Sequence, residues 1–112
     1  MVNQNRLPIV LGIGGNNTHA VCEKIKTTKL DRVDAILSVT PYYNKPNQDG
    51  LINHFKIIAK ATPLKQIIYN IPGRSIVDLS LDSFKELNKI SNIVAIKDAS
   101  NDISRPLLMR TF

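Results

Sequence analysis

An α/β fold built on a parallel sheet is what this sequence predicts, and three observations predict it. Four runs of strand length are rich in Ile and Val and do not alternate with polar residues, the pattern of strands covered on both faces. Segments with helical spacing separate these runs, in the order β-α-β-α-β-α-β-α. The runs begin near residues 8, 33, 66 and 92, so each connection is long enough for the crossover helix that parallel neighbours require.

The first predicted strand covers Pro8 to Ile13 and runs into Gly12-Ile13-Gly14-Gly15-Asn16-Asn17-Thr18. A dinucleotide-binding loop does not fit there. The third glycine of G-x-G-x-x-G would fall at Asn17, and the next strand ends in Ser38-Val39-Thr40-Pro41 where an acidic ribose ligand belongs. A tight turn into a helix over Thr18 to Thr28, capped by Asn or Thr, is the better account. The second strand, Val33 to Val39, ends in Thr40-Pro41-Tyr42-Tyr43-Asn44-Lys45-Pro46. Two prolines stiffen this loop around two adjacent phenols, which either pack on the following helix, Gln48 to Ala61, or serve a site.

The third strand, Gln66 to Ile71, leads into Tyr69-Asn70-Ile71-Pro72-Gly73-Arg74. The Pro-Gly turn would present the Arg74 guanidinium at the mouth of the sheet, where its fork of donors suits a substrate carboxylate; a surface ion pair with Asp78 is the alternative. A helix over Leu81 to Ile90 precedes the fourth strand, Asn92 to Lys97, and a last helix begins near Ser104. Lys97 closes the run Ile93-Val94-Ala95-Ile96 and either snorkels to water or points into a dry interior. In a dry interior desolvation disfavours an ammonium, and the neutral amine it favours is what attack on a ketone requires. Tyr69 and Lys97 therefore stand at the ends of consecutive strands as candidate proton shuttle and nucleophile of a Schiff-base site.

Composition narrows the function. At 112 residues the chain is one domain at most, and its 43% hydrophobic and 21% charged residues are those of a globular protein, not a disordered one. Fifteen Lys and Arg against nine Asp and Glu give +6, but the basic residues form no run and no aromatics interleave with them, which argues against nucleic acid. One cysteine, Cys22, leaves no internal disulfide and is expected to pack as a small apolar residue, while His19 and His54 show no ligand spacing, so no metal site is expected. The stretch at residues 1–6 lacks a signal-peptide core and no apolar run approaches the ~20 residues of a membrane span, so a cytoplasmic protein is expected.

The repeat of roughly 25 to 33 residues matches the about 31 per unit of an eight-unit barrel, although an open doubly wound sheet has the same local pattern. Four stretches, in order and spacing, resemble the pyruvate-dependent class I aldolase family: Gly12 to Thr18, Thr40 to Pro46, Tyr69 to Arg74, and Ile96-Lys97-Asp98-Ala99-Ser100. Gly73-Arg74 after Ile71-Pro72 is more similar to the dihydrodipicolinate synthase branch than to the N-acetylneuraminate lyase branch. The resemblance implies a TIM (β/α)8 barrel, of which residues 1–112 would be a single incomplete domain of about four βα units, the third to the sixth.

That resemblance also implies roles. Lys97 matches the lysine that forms an imine with pyruvate, Tyr69 the tyrosine that relays protons, Tyr43 a second relay tyrosine lent across a subunit interface, and Arg74 the arginine that receives the carboxylate of L-aspartate 4-semialdehyde. The implied reaction condenses these two substrates to 4-hydroxy-tetrahydrodipicolinate in lysine and diaminopimelate biosynthesis, without metal or redox cofactor, in a homo-oligomer. The family's early Gly-Thr-Thr-Gly-Glu motif would lie upstream of Met1, and Thr27-Thr28, near a helix end, does not replace it. The sequence thus reads as cut, with two unpaired sheet edges and an uncovered inner face that favour self-association. Two other functions stay open, a non-catalytic fragment and another pyruvate aldolase.

Overall fold

The computed structural model describes residues 7–112, so the reading of residues 1–6 as lacking a signal-peptide core lies outside the described residues. Four strands, β1 (Val10–Gly12), β2 (Ala35–Val39), β3 (Lys65–Asn70) and β4 (Ile93–Asp98), form one parallel sheet in the order β1-β2-β3-β4. An open doubly wound sheet reverses its strand order at a switch point, whereas a barrel adds each strand beside the last. The sequential order therefore identifies a partial TIM barrel, the alternative that the repeat length alone leaves open.

Among the described residues five helices accompany the strands: α1 (Thr18–Thr27), α2 (Gln48–Ala61), α3 (Pro72–Ser75), α4 (Leu81–Leu87) and α5 (Arg105–Met109). Three start on a side-chain cap, with Asn17 accepting from Ala20, Asn47 from Gly50 and Ser80 from Ser83, each replacing a hydrogen bond the first turn lacks and contributing about 1 kcal/mol. The expected turn and cap after the first strand are thus found. Gly14 is required in that turn because a Cβ there would come within 3.0 Å of the Val39 backbone nitrogen. The predicted helix to Ile90 ends at Leu87 instead; beyond it Lys89 and Ile90 donate to Glu86 and Leu87, three residues back, so the chain tightens out of the α geometry.

Two apolar clusters join helices to strands. One packs Leu51, Phe55 and Ala59 of α2 with Ile68, Ile93, Phe84 and Leu87, and the other packs Val21, Cys22 and Ile25 of α1 with Ile13, Ile36 and Ile58. Cys22 is buried there as a small apolar residue, and burial pushes its thiol pKa up. The expectation of strands buried on both faces is corrected. On β2 and β3, Ile36, Ser38, Gln66, Ile68 and Asn70 are buried under the helices, while Leu37, Val39, Ile67 and Tyr69 on the other face are only half-buried. Non-alternating apolar runs announce a barrel strand, but four strands do not close a barrel, so its inner face stays open here.

The register explains the site. Val39 pairs with Tyr69 and Tyr69 with Lys97, so the three form one row across the inner face. The β3–β4 ladder is irregular between Gln66 and Ile67: Gln66 pairs with Ile93 but Ile67 with Ala95, leaving Val94 as the extra residue of a bulge. Were Val94 instead taken into a regular ladder, Lys97 would fall opposite Asn70 and face the helices.

Candidate active site

The strand ends bring Tyr69 and Lys97 together. The Lys97 Nζ lies 4.3 Å from the centroid of the Tyr69 ring, a contact of about 0.5–1 kcal/mol at an exposed position. Lys97 is exposed, so the four strands alone do not supply the dry interior that the sequence reading assigns to it; the residues that would cover it are not part of this sheet. Tyr69 is half-buried and lines a cleft of about 830 Å³ together with Val39, Tyr42, Tyr43, Ile71, Arg74 and Ser75.

Arg74 enters through α3, a single turn that the sequence reading took for a Pro-Gly turn. Pro72 opens it, and Arg74, Ser75 and Ile76 donate backbone hydrogen bonds to Ile71, Ile71 and Pro72. The guanidinium is exposed at the cleft and has no ion pair among the described residues. Asp78, its proposed surface partner, lies 3.6 Å from Arg105 instead. The ion-pair alternative for Arg74 is therefore corrected, and a cation without a carboxylate partner faces the cleft.

Tyr43 is 75% exposed and holds a left-handed φ of 73°, with its ring 5.7 Å from that of Tyr42 in an edge-to-face pair. Neither phenol packs on the next helix as a core residue would. Their loop is tied to the loop after β1: Asn16 donates to the Tyr42 carbonyl at 2.9 Å and Asn44 to the Asn16 carbonyl at 2.8 Å. Tyr42 lines the cleft as well, which the sequence reading did not assign.

Ser75 and Thr40 were also missed. Thr40 Oγ1 donates to Ser75 Oγ at 3.1 Å, and Ser75 Oγ lies 3.0 Å from the carbonyls of Ile71 and Val77, so these buried hydroxyls dock the Arg74 turn on the end of β2. Polar residues this far apart in sequence carry no periodic signal that would reveal their pairing. His54 lies away from the site, buried between α1 and α2 with Nδ1 2.7 Å from Thr18 Oγ1, and burial lowers its pKa to about 4. Among the described residues no three His, Cys, Asp or Glu side chains gather as metal ligands, and no helix is long and apolar enough to cross a membrane.

Known proteins share this fold. The model of the Dihydrodipicolinate synthetase family matches residues 1–111. The 4-hydroxy-tetrahydrodipicolinate synthase of Karelsulcia muelleri is 52% identical over 103 residues, covering 91% of this chain and 35% of the relative, and that of Flavobacterium psychrophilum is 48% identical over 102 residues, with 90% and 35% covered. A crystal structure of dihydrodipicolinate synthase from Bacillus anthracis superposes with a TM-score of 0.91 at 47% identity, and one from Acinetobacter baumannii complexed with pyruvate with 0.90 at 48%; each covers 96% of this chain and 37% of the solved chain. The chain thus spans about a third of the length of the curated relatives it matches. With a family model matched over nearly all of its residues, the chain belongs to the dihydrodipicolinate synthetase family.

Proposed function

We infer that this chain carries the imine-forming half of a pyruvate-condensing site: Lys97 as nucleophile, Tyr69 and Tyr43 as proton relays, and Arg74 as the anchor for the carboxylate of L-aspartate 4-semialdehyde. The observation that carries this reading is the Tyr69–Lys97 pair, side by side across the β3–β4 ladder with the amine 4.3 Å from the ring. The relatives named 4-hydroxy-tetrahydrodipicolinate synthase, and the related structure complexed with pyruvate, support it.

In this reading the neutral Lys97 amine adds to the ketone carbon of pyruvate, and the carbinolamine loses water to give the imine. Both steps move protons between nitrogen and oxygen, and Tyr69 is the phenol nearest to accept and return them. Loss of a methyl proton from the imine gives an enamine, whose carbon attacks the aldehyde; hydrolysis later frees the lysine. The exposed Tyr43 stands where it could reach a neighbouring subunit, so a homo-oligomer belongs to the proposal, as do a cytoplasmic setting and a single incomplete barrel domain over residues 1–112.

A second reading, a non-catalytic fragment, is favoured by one observation: Lys97 is exposed. Intact mass after incubation with pyruvate and borohydride, beside a Lys97→Ala control, separates the two. A pyruvyl adduct on the first protein and not on the control is expected, and a soluble, cooperatively melting chain without an adduct would overturn the imine reading. Turnover with a sugar acid and none with aspartate-semialdehyde would assign the chain to another pyruvate aldolase.

A further inference from the structure

On the helix side of the sheet, directly behind Tyr69 and Lys97, lies a set of polar residues that the reaction outlined above does not use. Asn70 and Asp98 follow the two site residues and are themselves register partners. The fully buried Asn70 amide donates to Asp98 Oδ1 at 2.9 Å and to Asp78 Oδ1 at 2.8 Å, and its oxygen accepts from the Leu79 backbone at 3.0 Å. Arg105, at the start of α5, donates from Nε to Asp98 Oδ2 at 2.9 Å and from Nη2 to the Leu79 carbonyl at 2.5 Å. Ser100 adds a further bond to Asp98 at 3.0 Å.

We propose that Asn70, Asp98 and Arg105 are positioning residues that hold Tyr69 and Lys97 in register and aimed at the inner face; this rests on the imine reading of the site. Three observations carry the argument. Side chains alternate along a strand, so anchoring residues 70 and 98 on the helix face fixes residues 69 and 97 on the other. The bulge at Val94 interrupts the ladder just before the site, and a slip of one residue there would turn Lys97 away from the inner face and from Tyr69. Beyond the bulge, the Asn70–Asp98 bond is a side-chain clip between these two strands.

The composition of the clip also points to geometry over stability. A buried ion pair stabilises little more than an apolar group of the same volume, because both charges lose their water. Directional bonds from three sides of one carboxylate instead fix where β4 ends. On its own face Lys97 touches the Tyr69 ring, and at an exposed position that contact is too weak to hold a long side chain alone. An error of about 1 Å at a reacting group can slow chemistry on the order of 100-fold, so the clip has a kinetic consequence.

The test reads geometry and chemistry separately in the full chain. The first readout is the ring-current displacement of the Lys97 ε-methylene resonances by Tyr69, recorded without pyruvate. The second is the rate of borohydride trapping against pyruvate concentration. Asp98→Asn and Arg105→Met are expected to abolish the displacement while circular dichroism shows the helices intact. They should lower the maximal trapping rate by ~10- to 100-fold and leave the half-saturating pyruvate concentration within about threefold. Ile58→Val, in the other apolar cluster, lowers stability without touching the clip and should leave the displacement unchanged. Should Asp98→Asn not fold, Arg105→Met, at the rim of the clip, gives the decisive reading. A folded clip variant that keeps the Lys97 displacement overturns the proposal, as does its absence from the unmodified chain. A displaced Lys97 that traps no pyruvate instead refutes the imine reading and leaves the positioning claim standing on the first readout.

Discussion

Ile76 adopts a left-handed φ of 73° while 57% of its surface remains exposed. A β-branched side chain crowds its own backbone in that region, at about 1–2 kcal/mol. The conformation is imposed by α3, whose last hydrogen bond runs from the Ile76 nitrogen to Pro72, and by the docked Ser75 hydroxyl. Ile76→Gly should therefore raise stability by about 0.5–1 kcal/mol, the relief of strain exceeding the extra freedom of glycine in the unfolded chain. A higher urea midpoint at constant slope would show it, and a lower one would mean the side chain contributes contacts that outweigh the strain. Tyr69 invites a different substitution. Tyr69→Phe keeps the ring that Lys97 touches and removes only the hydroxyl. If the phenol relays protons, imine trapping should slow by ~10²- to 10⁴-fold with an unchanged melting temperature; an unchanged trapping rate would reassign the relay. The placement of Tyr69, Arg74 and Lys97 at or just past strand ends was legible in the sequence because each closes or follows an apolar run. Thr40, Ser75, Asn70 and Arg105 were not, because each is a polar residue whose significance lies in a partner on another element, and no local pattern announces such a pairing.

Among the elements, α1 and α2 are joined by a group whose charge depends on pH. His54 is 2% exposed, its Nδ1 pairs with Thr18, and its Nε2 has no partner among the described residues. A charged ring there would lose its water for one hydrogen bond, which is why burial lowers the pKa from 6.5 to about 4. Between those values the unfolded chain binds a proton that the folded chain does not, so this contribution is complete above pH 6.5 and is lost as the pH falls toward about 4. The slope reaches at most about 1.4 kcal/mol per pH unit. Urea midpoints between pH 7 and 5, where most carboxylates stay ionised, should fall with pH in the parent chain and much less in His54→Asn; parallel slopes would exclude the histidine. At this scale the strands were legible as apolar runs of strand length, and the long helices because their period repeats several times. The turn α3 is four residues long, too short to display a period, and the bulge at Val94 leaves no mark in an apolar run that reads the same with or without an extra residue.

As a whole, the described residues form a helix-covered sheet with one bare face. The chain covers 37% of each solved synthase named above, and in a closed barrel further strands would cover both the edges and the inner face. Here Leu37, Ile67 and Ala95 form one half-buried row, and Val39 leads the next row toward Tyr69 and Lys97. The outer edge strand β4 carries Val94, 50% exposed. Unpaired edges recruit other strands, and apolar faces recruit each other. The 112-residue chain should accordingly self-associate as its concentration rises and bind an apolar dye. The two causes can be told apart. Val94→Lys places a charge on the edge at the bulge, where it does not face the site, and leaves the inner rows intact. If edge pairing dominates, this change alone should shift sedimentation toward the monomer while dye binding persists; if the inner face dominates, the association will be unchanged. A parent chain that sediments as a monomer at all concentrations and binds no dye would mean that neither the edge nor the open face recruits a partner, and the sheet would then be self-sufficient with four strands.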